Sequence, residues 1–186
     1  MLSKSQCVCG VVFALFAQAP KPPAEPTAEQ LEKAKADFKA LRGGYTATID
    51  PLTKQTVHGF WIYPASADEK QRKLPNPPFA FAMDISHLKV PDDLLKEIAP
   101  LTNLTKLGLH NTTKDADLKD LAALTNLTDL SLQSTQVTDA GLKDLAPFKN
   151  LTHLTLSGTQ VTDAGLKDLA PLKNLIKLNL YETKVT

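Results

Sequence analysis

The sequence predicts an α/β fold, a solenoid of short parallel strands with helices on its convex side, preceded by a small α+β N-terminal cap. Three observations carry this. The second half repeats itself: Leu-Thr-Asn-Leu-Thr begins at Leu101 and Leu124, and the related Phe-Lys-Asn-Leu-Thr and Leu-Lys-Asn-Leu-Ile begin at Phe148 and Leu172, at spacings of 23, 24 and 24 residues. Within each unit a two-residue apolar alternation gives way to a helical spacing. Proline is clustered at residues 20–26 and 75–78, punctuation that divides the chain into residues 1–19, a Pro-rich linker at 20–26, a cap at 27–76 and the repeats at 77–186.

Residues 1–6 carry one cation, Lys4, and are followed by an apolar run over 8–16 and then Ala17-Gln18-Ala19. That order resembles a secretory signal peptide with an A-x-A cleavage site and predicts an extracytoplasmic location, secreted or periplasmic. The apolar run is far short of the roughly 20 residues a membrane-spanning helix needs, so no membrane span is expected after processing. Both cysteines, Cys7 and Cys9, lie in this segment without a lipobox before them, and the processed chain would need no disulfide. Cys-x-Cys in an apolar run with no other ligand nearby is not read as a metal site.

In the cap, Thr27 followed by Gln30 predicts a capping box, and Leu31, Ala34, Phe38 and Leu41 trace one helical face until Gly43-Gly44 ends it. Residues 45–49 and 57–63 have the β-branched and aromatic content of strands, joined through Asp50-Pro51. This half is expected to cover the N-terminal edge of the solenoid, with Phe60, Trp61 and Tyr63 in its core.

Each repeat carries the spacing L-x-x-L-x-L-x-x-T, at Leu104/Leu107/Leu109/Thr112, Leu127/Leu130/Leu132/Thr135, Leu151/Leu154/Leu156/Thr159 and Leu175/Leu178/Leu180/Thr183. Leu-x-Leu marks a short strand with one buried face. After it, Thr138 can cap a helix, Asp139 sits where a helix N-terminus favours an anion, and Leu142 and Leu145 lie three apart. Pro147 and Pro171 then end the helix. A degenerate earlier unit places Met83 and Ile85 at the strand positions and Leu95 and Ile98 at the helix, giving about four and a half units. No unit can bury its leucines alone, so stacking creates the core.

This pattern resembles the leucine-rich-repeat family, with Thr at the position the family fills with Asn or Cys. The Thr hydroxyl is expected to satisfy turn backbone there. The T-D-A-G-L wording at residues 138–142 and 162–166 is similar to repeats of bacterial exported leucine-rich-repeat proteins, and more loosely to ribonuclease-inhibitor-like and internalin arrays. The resemblance covers about residues 77–186 and implies the fold, while the family serves many partners. Unit one departs from it, with Thr113 near the Val137 position and Asp117 in place of Gly141. After Val185-Thr186 the earlier units would continue with Asp-Ala-Gly-Leu, so the last strand is expected to lack its cover, in a piece of a longer product or in a chain that associates through that edge.

If the strands line the inner wall as in the family, the residues flanking the leucines form three exposed columns. These are Lys106, Asp129, His153 and Lys177; Gly108, Ser131, Thr155 and Asn179; and His110, Gln133, Ser157 and Tyr181. That grid is the expected binding site. Catalysis is not expected: His110 and His153 fall in different columns two strands apart, roughly 10 Å at about 4.8 Å per strand, too far to share a metal. Ser157-Gly158 lacks the context of a nucleophile elbow, no glycine-rich phosphate loop is present, and no cofactor or metal is implied. With 21 Lys and Arg against 20 Asp and Glu, the formal charge of +1 gives no field to attract nucleic acid. Lys119-Asp120, Lys143-Asp144 and Lys167-Asp168 read as solvated convex surface. Asn103, Asn111, Asn126 and Asn150 match N-x-[ST], three of them as copies of the repeat. The expected function is a non-catalytic protein-binding module acting through the inner wall. The alternative is a structural or assembly unit that self-associates through the uncapped C-terminal edge; polysaccharide binding is disfavoured by the scarcity of stacking aromatics.

Overall fold

A computed structural model describes residues 25–40, 43–49, 55–61, 74–85, 94–109, 111 and 113–186. The expected leader with Cys7 and Cys9, and also Leu41, Asp50-Pro51, Tyr63, His110 and Thr112, lie outside the described residues.

Helix α1 spans Ala28–Ala40 and opens on the reciprocal box expected of it: the Gln30 N–H donates to Thr27 Oγ1 at 3.2 Å and the Thr27 N–H to Gln30 Oε1 at 2.9 Å. Its Ala34 and Phe38 are buried, with Phe38 stacked on Phe60 at 4.2 Å between ring centroids. Strands β1 (Gly44–Ile49) and β2 (Thr56–Trp61) form an antiparallel hairpin. From β2 onward every neighbour is parallel: β3 (Phe81–Asp84), β4 (Leu104–Gly108), β5 (Asp129–Ser131), β6 (His153–Thr155) and β7 (Lys177–Asn179) extend one seven-stranded sheet in chain order. Cap and repeats therefore share one sheet, and one apolar core runs from Ala34 to Leu172.

Short helices α2 (Leu94–Ile98), α3 (Asp115–Leu118) and α4 (Asp139–Leu142) follow β3, β4 and β5. α3 and α4 tighten at once into 3-10 turns at Lys119–Leu121 and Lys143–Leu145, and the next unit has only the 3-10 segment Gly165–Leu169. The leucine spacing of three explains this, because i and i+3 eclipse in a 3-10 helix and point both leucines at the sheet. Leu107, Leu130 and Leu154 from the strands meet Leu118, Leu121, Leu142 and Leu145 from the helical turns, all within 2% of full burial. Each such side chain contributes about 1.5–3 kcal/mol on leaving water. Met83, Ile85, Leu95 and Ile98 take the same places in the degenerate unit.

Three hydrogen-bond ladders set the stacking. The side-chain amide of the Asn in each Leu/Phe-x-Asn-Leu donates to a carbonyl one unit back: Asn103 to Pro77 at 2.9 Å, Asn126 to Thr102 at 2.8 Å, Asn150 to Thr125 at 2.9 Å and Asn174 to Lys149 at 2.8 Å. The nitrogen that a glycan would occupy at Asn103, Asn126 and Asn150 is thus engaged. The Thr of the last three turns donates to the carbonyl three residues earlier, Thr135 to Leu132 at 2.7 Å, Thr159 to Leu156 at 2.6 Å and Thr183 to Leu180 at 2.7 Å, as expected from its place in the motif.

The third ladder extends the expected role of the Thr-Asp pair. Thr138 Oγ1 caps α4 by accepting from the Ala140 N–H at 3.2 Å. Asp115 of the preceding unit also accepts from the Thr138 N–H at 2.8 Å and from the Thr138 hydroxyl at 2.6 Å. Asp139 treats Thr162 identically, at 2.8 and 2.6 Å, and Asp163 reaches Thr186. Glycine at 141 and 165 is what permits the approach, since a Cβ there would collide with the Asp115 and Asp139 carboxylates. In unit one Asp117 replaces that glycine, and its carboxylate accepts from the Lys114 N–H at 2.6 Å, doing within the unit what the preceding aspartate does in later ones. The hydroxyl donation from Thr162 and then the Thr162 N–H hold the Asp139 carboxyl below the usual carboxylate range.

Thr113 takes the place of Val137 and Val161, is 1% exposed, and its hydroxyl has no hydrogen-bond partner among the described residues. The turn after each of β4 to β7 uses a left-handed residue, Asn111, Ser134, Gly158 and Glu182 in succession, with φ between 54° and 70°. Only Gly158 adopts it without a Cβ penalty.

Candidate binding site on the open sheet face

The central leucine of each strand points into the core, so its two neighbours face the other way. The register aligns Lys106, Asp129, His153 and Lys177 as one column and Gly108, Ser131, Thr155 and Asn179 as a second. Two of the three expected columns are therefore continuous rows across β4–β7. The third lies beyond the strands. His110 is outside the described residues, Gln133 and Tyr181 are exposed, and Ser157, expected to be exposed, is only 7% so. The strand ends at Thr155, and ladder bonds from the Ser134 N–H to the Ser157 carbonyl and from the Gly158 N–H to the Tyr181 carbonyl clasp Ser157 between neighbouring repeats. Parity no longer dictates its exposure.

Both rows continue into the cap. Lys106 aligns with Ala82 and Ala82 with Gly59, while Gly108 aligns with Asp84 and Asp84 with Trp61. Trp61 was expected in the core; it instead stands on the open face, 36% exposed, with its ring laid over Gly44. In β2 His58 and Phe60 face inward, so Val57, Gly59 and Trp61 must face out. The Asp84 carboxylate leans over Gly108, 3.1 Å from where a Cβ would stand.

The result is a groove of about 960 Å³ that runs from Thr46 and Trp61 on the hairpin to His153 and Thr155 on β6. Its floor is low at Gly59, Ala82 and Gly108 because those positions have little or no side chain. In its second half one carboxylate organises the charges. Asp129 Oδ1 lies 3.3 Å from Lys106 Nζ and 3.8 Å from His153 Nδ1, while Asp129 Oδ2 accepts from the Thr128 hydroxyl at 2.7 Å. Thr152 Oγ1 contacts His153 Nδ1 at 2.9 Å. These side chains are about a quarter exposed, so they are positioned and still reachable. Lys177 borders the groove on β7 and is exposed.

No group of three or more His, Cys, Asp or Glu among the described residues is placed to hold a metal ion. No helix among them is long and apolar enough to cross a membrane. The residues missed in sequence are Gly59, Trp61, Ala82 and Asp84, and the strand parity of β2 and β3 was the signal for them.

The family profile described as a leucine-rich repeat matches residues 123–146 and 149–170. No curated protein matches the chain. Among solved structures, an internalin from Listeria monocytogenes is similar over 57% of this chain at 23% identity, with a TM-score of 0.39. The chain spans 36% of that internalin's length. The leucine-rich-repeat ectodomain of a receptor kinase from Arabidopsis thaliana is similar over 85% of this chain and 82% of its own, at 14% identity and a TM-score of 0.39. With one strand and one helical turn per unit, stacked on a shared core and matched by that profile over residues 123–146 and 149–170, the chain carries leucine-rich repeats.

Proposed function

We propose that the chain is a non-catalytic module that binds a protein partner along the open face of its sheet, in an extracytoplasmic compartment. The observation that carries the reading is the groove itself, about 960 Å³ and continuous from the hairpin to β6, with reachable charges held in fixed relation by Asp129. Preorganised side chains lose little entropy on binding, and an exposed tryptophan is among the strongest interface anchors. The compartment rests on the leader-like pattern of residues 1–19.

The test is capture of envelope and secreted proteins on the full chain, comparing wild type with the Lys106→Ala, Asp129→Ala, His153→Ala, Lys177→Ala quadruple variant after circular dichroism has matched their folds. A partner kept by wild type and lost by the variant supports the wall as the site; identical capture by both rejects it. A second reading, association through the last repeat, is favoured by one observation: Leu175, Leu178 and Leu180 are only partly buried, and Ile176 and Tyr181 are 39% and 61% exposed. It predicts concentration-dependent association in sedimentation velocity that wall substitutions leave intact.

A further inference from the structure

The two ends of the wall differ in chemistry, and the difference specifies what fits between them. At the hairpin end Trp61 stands exposed beside Gly59 and Ala82, whose small or absent side chains leave a shallow apolar floor. A bulky apolar side chain laid there removes apolar surface from water on both partners. At the other end the row closes on a cation. Asp129 serves Lys106 and His153 together, and the next residue in the row is the exposed Lys177, aligned with His153. The residues beside it in the adjoining row, Thr155 and Asn179, are neutral. The row thus closes on an exposed lysine ammonium that a carboxylate complements. Between the ends, Ser131 and Thr155 present hydroxyls at the strand spacing. An extended main chain can use them, whereas a helix has already satisfied its own backbone.

From Trp61 on β2 to His153 on β6 is four strand steps, roughly 19 Å at about 4.8 Å per step. An extended chain covers that in about six residues at roughly 3.3 Å each. We infer that the wall takes an extended segment of a partner protein carrying a large apolar side chain at Trp61 and an acidic side chain about six residues away, at His153 and Lys177. This rests on the wall being the binding face.

The experiment pans a displayed library of random linear peptides on the full chain, and then measures an enriched peptide by titration against variants. The expected outcome is enrichment of a large apolar residue with Asp or Glu about six positions away. Binding should weaken about tenfold or more in Trp61→Ala and in Lys177→Glu. Panning on Lys177→Glu should replace the acidic position with Lys or Arg, a reversal that a misfolded variant cannot produce. Enriched peptides that lack the acid, or that ignore Lys177→Glu while still losing affinity in Trp61→Ala, overturn the inference and leave the wall as the site. No enrichment, or peptides indifferent to both substitutions, overturns the inference and the wall reading together.

Discussion

Replacing Gly141 with alanine sets two effects against each other, and their sizes decide the sign. Local propensity favours the change, since alanine is about 1 kcal/mol better than glycine in a helix. The stacked structure opposes it, because the new Cβ would occupy the space of Asp115 Oδ1. The carboxylate can swing away, but only by abandoning its bonds to the Thr138 N–H and hydroxyl at 2.8 and 2.6 Å. Hydrogen bonds to a charged group contribute roughly 1.5–3 kcal/mol each. Asp115 is half-buried, so the lower figure applies and the two bonds sum to about 3 kcal/mol. Net of the helix gain, Gly141→Ala should destabilise by about 2 kcal/mol, a fall of roughly 4–8 °C in melting temperature for a chain of this size. Thermal unfolding followed by circular dichroism measures it, with Asp115→Ala as the second arm of a double-mutant cycle. Once the carboxylate is gone, Gly141→Ala should be neutral or stabilising. An alanine variant that melts higher than wild type, or an equal loss in both backgrounds, would refute the ladder as the reason for this glycine.

Thr113→Val should stabilise by about 1 kcal/mol or more, because it keeps the shape of a buried side chain and removes a hydroxyl with no partner among the described residues; urea midpoints measure it, and a loss would mean that the hydroxyl is satisfied. Gly158→Ala should cost about 1–2 kcal/mol in the same assay, since φ is +70° and a Cβ would press on Ser134 Oγ at 3.1 Å; an unchanged midpoint would show that the turn relaxes freely. The folded Asp139 carboxyl is held below its ordinary pKa, so its contribution is full above the ordinary aspartate value, about 4, and fades as pH falls through the lower folded value. Asp139→Asn should therefore lose stability at pH 7 and converge on wild type at acid pH; a constant gap across pH would contradict the assignment.

The repeat period, the strand positions, the capping box at Thr27 and Gln30, and the turn role of Thr135, Thr159 and Thr183 were all legible, because each is a local pattern with one physical solution. Lys106, Asp129, His153 and Lys177 could be aligned as a row for the same reason: a constant period places equivalent residues side by side. Two kinds of information were harder to read. Asp115 and Asp139 look like ordinary first-turn anions until the units are superposed, because their partners Thr138 and Thr162 lie 23 residues away. Trp61 was assigned to the core on its composition, although Phe60 beside it had the stronger claim and adjacent strand residues cannot both face inward. Ser157 failed for the opposite reason, since the two-residue alternation was carried past the end of the strand. The hairpin's share of the groove followed from neither the repeat nor its period, because β2 joins β3 across the boundary where the repeat begins.

A partner seated on the open sheet face must shield the strands that form it. Amide hydrogen exchange of the full chain with and without the captured partner tests it most directly. Added protection is expected at Thr56–Trp61, Leu104–Gly108, Asp129–Ser131 and His153–Thr155, with the helical turns Asp139–Leu142 and Gly165–Leu169 unchanged. Protection confined to those turns, or to Lys177–Asn179 and the residues after it, would place the partner off the open face.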